Sequence, residues 1–339
     1  MNLNTLYDLL HNSVEKYSDK VAFSMLGSED VTYKEVGRRV KEVQDMLLSA
    51  GLSAGDKVAL LSSSMPNWGI CYFAVVTAGM VAVPILPDFT GAELDLLIEH
   101  SESKALLVSD RLFTKLSKDT ISKLNIVIRT KNLSVISQTV QEQGTAATPK
   151  PEDLAVIIYT SGTTSQPKGV MLTHSNLAQQ INYIYKLYPI GTEDSMLSVL
   201  PLSHTYECSL GMLYVFATGA STTYLEKPPT PSVLLPALRK VRPTCFLIVP
   251  LIIEKIYNSQ ILGKFTANKF MSALYSVGFI RRYLHRIAGK KLTKAFGGRA
   301  RLFIGGSKLD ERVEKFLMEA RFPYAIGYGL TETAPLIAG

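Results

Sequence analysis

The chain has 339 residues, 47% hydrophobic and 19% charged, a balance that suits a compact α/β protein and excludes a disordered one. Lys and Arg outnumber Asp and Glu by 36 to 29, yet no base-reading motif accompanies this charge, so no nucleic-acid partner is expected. Cys71, Cys208 and Cys245 are too few and too far apart for a disulfide framework or a zinc site, and they point to a reducing, cytoplasmic setting.

The start, Met1 to Leu10, lacks the basic region and apolar core of a signal peptide. Thr32-Tyr-Lys-Glu35 is a capping box, after which Val36, Val40, Val43 and Leu47 mark one helical face and Gly51 closes it. Residues 58–87 carry no charge and match a membrane span in length. Ser62 to Ser64, Pro66, Asn67, Gly79 and Pro84 divide them instead into strand 58–62, helix 66–78 and strand 81–86, a buried βαβ unit. Thr90-Gly-Ala-Glu93 opens a further helix, and strands follow at 104–108 and 125–129, so 1–142 reads as a first αβ subdomain. Residues 143–153, polar and containing Pro149 and Pro151, form a connector. A second αβ subdomain then spans 154–339. It begins with strand 154–160, a loop, a helix from about 175 and strand 195–200, and continues with a helix near 205–217 and strands near 221–225 and 244–249.

The richest chemistry lies in residues 159–170, Tyr-Thr-Ser-Gly-Thr-Thr-Ser-Gln-Pro-Lys-Gly-Val. An apolar strand here feeds a turn of hydroxyls and glycine, whose N–H and O–H groups suit phosphate oxygens, with Lys168 as a point charge. The Walker pattern fails, because Pro167 precedes Lys168 and Gly169 follows it. Turns of this composition are commonly plain solvated loops, so the weight comes from segments downstream. Leu200-Pro-Leu-Ser-His204-Thr-Tyr-Glu207 puts a histidine at a strand-to-helix turn, where such residues more often cap or pack. Arg301 to Asp310 runs a strand into Gly305-Gly306-Ser307. Tyr324 to Thr333 contains Gly-Tyr328-Gly329-Leu-Thr331-Glu332-Thr333, an aromatic able to stack on a purine followed by a hydroxyl and a hard oxygen ligand.

In this order these segments resemble the adenylate-forming (AMP-binding) superfamily, and Val241 to Pro250 with Glu254 to Tyr257 is similar to the long-chain fatty-acid–CoA ligase branch. Ser165 departs from the glycine usual there. The resemblance implies the family's large N-terminal domain: two parallel-sheet αβ subdomains stacked with helices between. It also implies a chain that stops before the β-barrel and the C-terminal domain are reached. The family's ribose-binding Asp, hinge and C-terminal Lys find no counterpart, and the chain is expected to be the N-terminal part of a ligase, binding nucleotide without full turnover.

The implied reaction joins a fatty acid to ATP as acyl-AMP and then to coenzyme A, with Mg²⁺. By the same resemblance, Thr160, Ser161, Gly162, Thr163, Thr164 and Lys168 hold the β- and γ-phosphates, and Thr331 meets the α-phosphate. Gly305, Gly306, Ser307, Tyr328 and Gly329 seat the adenine, and His204 borders the carboxylate. Glu332 binds Mg²⁺, with Thr164 as a further oxygen on the metal side. Lys168, His204, Thr331 and Glu332 form the catalytic set. Two other readings stay open: a non-catalytic nucleotide-binding or membrane-docking module, and a ligase for medium-chain or aryl acids.

Between Lys264 and Arg301 lie ten Lys/Arg and no Asp or Glu; the rest of the chain holds 26 basic against 29 acidic residues, so the positive balance is local. Phe270, Leu274, Val277, Leu284 and Ile287 recur there at near-helical spacing. Such a segment is often a solvated helix face. The expectation set beside that is peripheral contact with an anionic membrane from its cytoplasmic side.

Overall fold

The computed structural model describes residues 1–28, 30–160 and 167–339. Among them sixteen strands follow in chain order: β1 (Val21–Met25), β2 (Asp30–Thr32), β3 (Lys57–Leu61), β4 (Val81–Pro84), β5 (Ser103–Val108), β6 (Ile126–Arg129), β7 (Val135–Gln138), β8 (Leu154–Thr160), β9 (Lys168–Thr173), β10 (Ser195–Ser198), β11 (Ser221–Tyr224), β12 (Cys245–Ile248), β13 (Arg301–Ile304), β14 (Tyr324–Ile326), β15 (Tyr328–Gly329) and β16 (Leu336–Ala338). They form two seven-stranded sheets and one two-stranded ribbon. The first sheet has the order β7-β6-β5-β3-β4-β8-β9, the second β14-β13-β12-β10-β11-β1-β2, and β15-β16 is the ribbon. Pairing is parallel except at the edges, where β7, β9 and β2 run antiparallel to their neighbours.

Side-chain alternation along the strands explains the layering. In β3, Val58 and Leu60 point into a core shared by both sheets, whereas Ala59 and Leu61 face a separate outer core beneath helix Gly91–His100. In β12, Cys245 and Leu247 face that same shared core, and Phe246 and Ile248 face the outer helices Pro231–Val241, Gly278–Ala295 and Glu311–Ala320. Both sheets are thus buried on both faces, which is why their strands read as apolar runs. Helix Pro66–Thr77 lies in the shared layer and is buried from Asn67 to Thr77. Trp68 and Phe73 are fully buried there, each contributing roughly 1.5–3 kcal/mol. An uncharged helix in the middle of five layers accounts for the span-like stretch at 58–87. No helix among the described residues is long and apolar enough to cross a membrane.

The expected helix 66–78 and the strands at 58–62, 104–108 and 125–129 are found within a residue or two of the expected bounds. Sheet membership, in contrast, does not follow the division at 143–153. β1 and β2, from the first 142 residues, complete the second sheet, while β8 and β9, beyond the connector, complete the first. Local pattern specifies a strand and its faces but not its neighbours. The connector is itself pinned to the C-terminal ends of helices Tyr33–Ser49 and Pro66–Thr77, through Gly144 N–H to the Leu48 carbonyl (2.8 Å) and Ala147 N–H to the Ala78 carbonyl (3.1 Å). A Cβ on Gly144 would lie 1.7 Å from the Leu52 carbonyl oxygen, so that position admits only glycine.

Candidate active site

Strands β8 and β9 form a hairpin whose last pair is Thr160 with Lys168. The hairpin is held near its loop end, where Tyr159 Oη lies 2.8 Å from His100 Nδ1. A Cβ on Gly169 would meet Ile157 Cγ2 at 2.6 Å, so its role is close packing across the hairpin. Thr160 is half-buried and Lys168 exposed. Ser161, Gly162, Thr163 and Thr164, expected to hold phosphate, lie outside the described residues, as does Ser165.

β9 passes alongside the single turn of 3₁₀ helix Thr331–Thr333. The two segments singled out in the sequence, separated by some 160 residues of chain, are therefore neighbours in space. Within that turn the Thr333 hydroxyl accepts from Leu330 N–H (3.0 Å) and lies 2.9 Å from the Leu330 carbonyl and 2.5 Å from that of Pro335. Thr333 is thus tied up in holding the turn, while Glu332 is exposed and, among the described residues, makes no ion pair. A polar cleft runs from Glu332 along helix His174–Leu187, with Ser175, Asn176, Gln179, Gln180 and Tyr183 on its wall.

β15 pairs with β16, Tyr328 opposite Ala338 and Gly329 opposite Leu336. A Cβ on Gly329 would fall 1.8 Å from the Pro335 carbonyl oxygen. Tyr328 leaves the ribbon 63% exposed, an aromatic face free to stack. At the end of β13, Gly305 is buried against Tyr206, whose ring carbon would stand 3.0 Å from a Cβ. Gly306 follows with φ +95°, a left-handed conformation that favours glycine, and Gly306 and Ser307 are exposed.

Beside these turns a narrow apolar cavity of about 40 Å³ opens between helix His174–Leu187 and the second sheet. Tyr206, Leu210, Phe303 and Gly327 are among its walls, and Leu336 lines both this cavity and the polar cleft. His204 lines neither cavity. It lies on the exposed turn before helix Glu207–Leu213, and loss of hydration at the protein surface holds its pKa below the ordinary value, opposed by the charge of Asp88. The helix expected near 205–217 is π-helical over Glu207–Leu213 and α-helical only over Tyr214–Ala217, a wide turn of the kind frequent at functional sites.

The AMP-binding enzyme family model matches residues 10–339. The chain belongs to that family. Among the relatives of this AMP-binding enzyme are long chain acyl-CoA synthetase 1 of Arabidopsis thaliana, 29% identical over 98% of this chain and 58% of its own length, and the Mycobacterium bovis long-chain-fatty-acid–CoA ligase FadD15, 28% identical over 91% and 57%. Oxalate–CoA ligase of A. thaliana is 32% identical over 74% of this chain and 51% of its own length. The chain therefore spans little more than half the length of these relatives. Two solved structures share the fold: the N-terminal subdomain of Klebsiella oxytoca NpsA in complex with 3-hydroxyanthranilyl-AMSN (TM-score 0.76, 17% identity, 99% of this chain and 75% of that one) and Bacillus subtilis O-succinylbenzoate coenzyme A synthetase in complex with AMP (0.74, 20%, 97% and 75%). The stacked-sheet fold expected from the motifs is thereby established, without a closed barrel among the described residues.

Most of the wall residues of both cavities lie outside the segments singled out in the sequence. Gln179, Gln180 and Tyr183 recur along one side of the helix that follows the hairpin, and that recurrence was the available signal. Tyr206, two residues after the histidine, takes the position against Gly305.

Proposed function

We propose that the chain carries the nucleotide and acyl sites of a long-chain fatty-acid–CoA ligase. The observation that carries this reading is the junction at Leu336 of a polar cleft bearing Glu332 with a cavity walled by apolar side chains. A substrate with one highly charged end and one apolar end fits such a pair of spaces.

In this reading the fatty-acid carboxylate attacks the α-phosphorus of ATP in line, pyrophosphate leaves, and the thiol of coenzyme A then displaces AMP from the acyl-adenylate. Charge builds on phosphate oxygens in the first step, so positioned donors are the main device. Lys168 supplies positive charge to the β- and γ-phosphates, which also accept from the hydroxyls of Thr160, Ser161, Thr163 and Thr164 and from the Gly162 backbone N–H. Thr331 donates to the α-phosphate. Tyr328 stacks on the adenine, with Gly305, Gly306, Ser307 and Gly329 giving the ring close access to backbone. His204 lines neither space, so its place beside the carboxylate rests on the family resemblance alone. One exposed carboxylate, Glu332, suits Mg²⁺, which takes few protein ligands when phosphates supply the rest, and Thr164 is a further oxygen for it. Bound there, the ion would neutralise phosphate charge. The acyl tail lies between Leu210, Phe303 and Leu336.

Calorimetric titration with non-hydrolysable acetyl-, hexanoyl- and palmitoyl-adenylate analogues tests this. Affinity should rise with chain length, and AMP alone should bind more weakly than the palmitoyl analogue. A flat dependence on chain length, or a preference for an aryl-adenylate analogue, would transfer the reading to a ligase for short or aromatic acids. Absence of any nucleotide binding would leave a non-catalytic module.

A further inference from the structure

Helix Gly278–Ala295 buries His285, Gly289 and Leu292 against the second sheet's outer core. Its opposite stripe is continuous at helical spacing: Phe279, Arg282, Tyr283, Arg286, Ile287, Lys290, Lys291 and Lys294, all exposed. Phe279 is 75% and Tyr283 66% exposed, and Phe270, on the preceding helix Lys269–Ser276, is 72% exposed. Neither helix contains an acidic residue.

An ordinary solvated helix in the same molecule looks different. On Tyr33–Ser49, Arg38 pairs with Glu35 and Glu42, Arg39 with Glu35, and Lys41 with Asp45. Among the described residues, the only Lys or Arg of Gly278–Ala295 with a carboxylate partner is Arg281, which turns inward to Glu319 at 3.0 Å. The five cations of the outer stripe have none. Water-facing helices rarely leave three large apolar side chains exposed among unneutralised cations. That combination does match a surface that takes up apolar groups and attracts positive charge at once.

We propose that this face, Phe270 with the stripe from Phe279 to Lys294, docks on an anionic lipid surface. The aromatics and Ile287 enter the boundary between headgroups and acyl chains, and Arg282, Arg286, Lys290, Lys291 and Lys294 meet lipid phosphates. A nucleic-acid partner is disfavoured by the same stripe, because Phe279, Tyr283 and Ile287 would be set against the charged phosphate backbone.

Co-sedimentation of the chain with phosphatidylcholine vesicles, with and without phosphatidylglycerol, decides the matter. Binding is expected to anionic vesicles alone, weakening with salt and falling roughly fivefold for each outer cation removed. Arg282→Glu with Arg286→Glu should abolish it. Phe279→Ser with Tyr283→Ser, which adds no charge, should weaken it while leaving the salt dependence in place, and it keeps the test decisive if charge reversal impairs folding. Equal binding to neutral and anionic vesicles overturns the proposal, as does no binding to either. Tight binding to duplex DNA without vesicle binding reassigns the face.

Discussion

Glu207 opens the π-helical turn beside His204 and is fully buried, and neither of its carboxylate oxygens has a hydrogen-bond partner. The Ser198 hydroxyl lies near and favours the ionised form, although it does not reach hydrogen-bond geometry. A Cβ on Gly211 would stand 2.8 Å from Oε1, so the carboxyl is held against backbone that has no side chain to offer. Burial dominates and pushes its pKa from 4.5 to about 8. The folded protein therefore keeps a proton that the unfolded chain has lost, and stability falls as pH rises from the unfolded value through the folded one. Linkage puts the cost below about 1 kcal/mol at pH 5, about 3 at pH 7 and about 4 at pH 8.

Glu207→Gln removes the ionisation while nearly preserving shape. Urea unfolding followed through Trp68, the only tryptophan and itself fully buried, reads the difference. Any cost of the new amide is the same at every pH, so the informative quantity is the change in the gap between variant and parent. From pH 5 to pH 8 that gap should move by about 3 kcal/mol in favour of Glu207→Gln. Parallel stability curves for the two proteins would show that Glu207 is ionised in the fold, and the account of a neutral buried carboxyl would fail.

Three further outcomes follow from the geometry. Glu332→Gln should abolish the magnesium dependence of ATP affinity in titrations and leave the unfolding midpoint unchanged, since the side chain is exposed; persistence of the metal effect would remove Glu332 from the metal site. Gly305→Ala forces a Cβ toward the Tyr206 ring, an overpacking of about 1–3 kcal/mol, and Tyr206 lines the apolar cavity. Palmitoyl-adenylate analogues should therefore lose more affinity than AMP, and equal losses would place the effect elsewhere. Glu319→Ala strips Arg281 (bonds of 3.2 and 3.0 Å) and His285 (Nδ1 2.7 Å away) of a buried carboxylate, and should cost about 2–4 kcal/mol in chemical unfolding. A loss under about 0.5 kcal/mol, the level of an exposed pair, would show the cluster is solvated.

Most of what could be read from the sequence was local. Thr32 and Thr90 start helices as expected, with both hydroxyls accepting from the backbone N–H of the third helical residue, but only Thr90–Glu93 closes a full capping box, since Glu35 turns to Arg38 and Arg39. The unbroken apolar run from Val58 to Leu61 announces a strand buried on two faces. What the chain could not declare is partnership. β1 is five residues whose burial pattern fits many edges, and it joins β11 some two hundred residues away because the shared core leaves that edge open. The apolar cavity was equally hidden, since Ile184, Met196 and Leu247 each read as ordinary core in their own segments. A void arises only from the way three layers meet, and no single window of sequence contains three layers.

The same logic separates the three glycine-bearing motifs from their surroundings. Gly169, Gly305 and Gly329 would each place a Cβ within 3.0 Å of an atom that holds the site's shape: the Ile157 side chain, the Tyr206 ring and the Pro335 carbonyl. None of the three has a left-handed backbone. Close approach rather than turn conformation therefore explains glycine at these positions. Substitution there should deform neighbours more than it strains φ, and Ala at Gly329, with 1.8 Å to a backbone oxygen, should disturb the β15–β16 ribbon more than Ala at Gly169, which meets a side chain able to change rotamer. The ribbon carries Tyr328 and anchors the turn bearing Glu332, so the side chains proposed for the purine and for the metal depend on the same glycine.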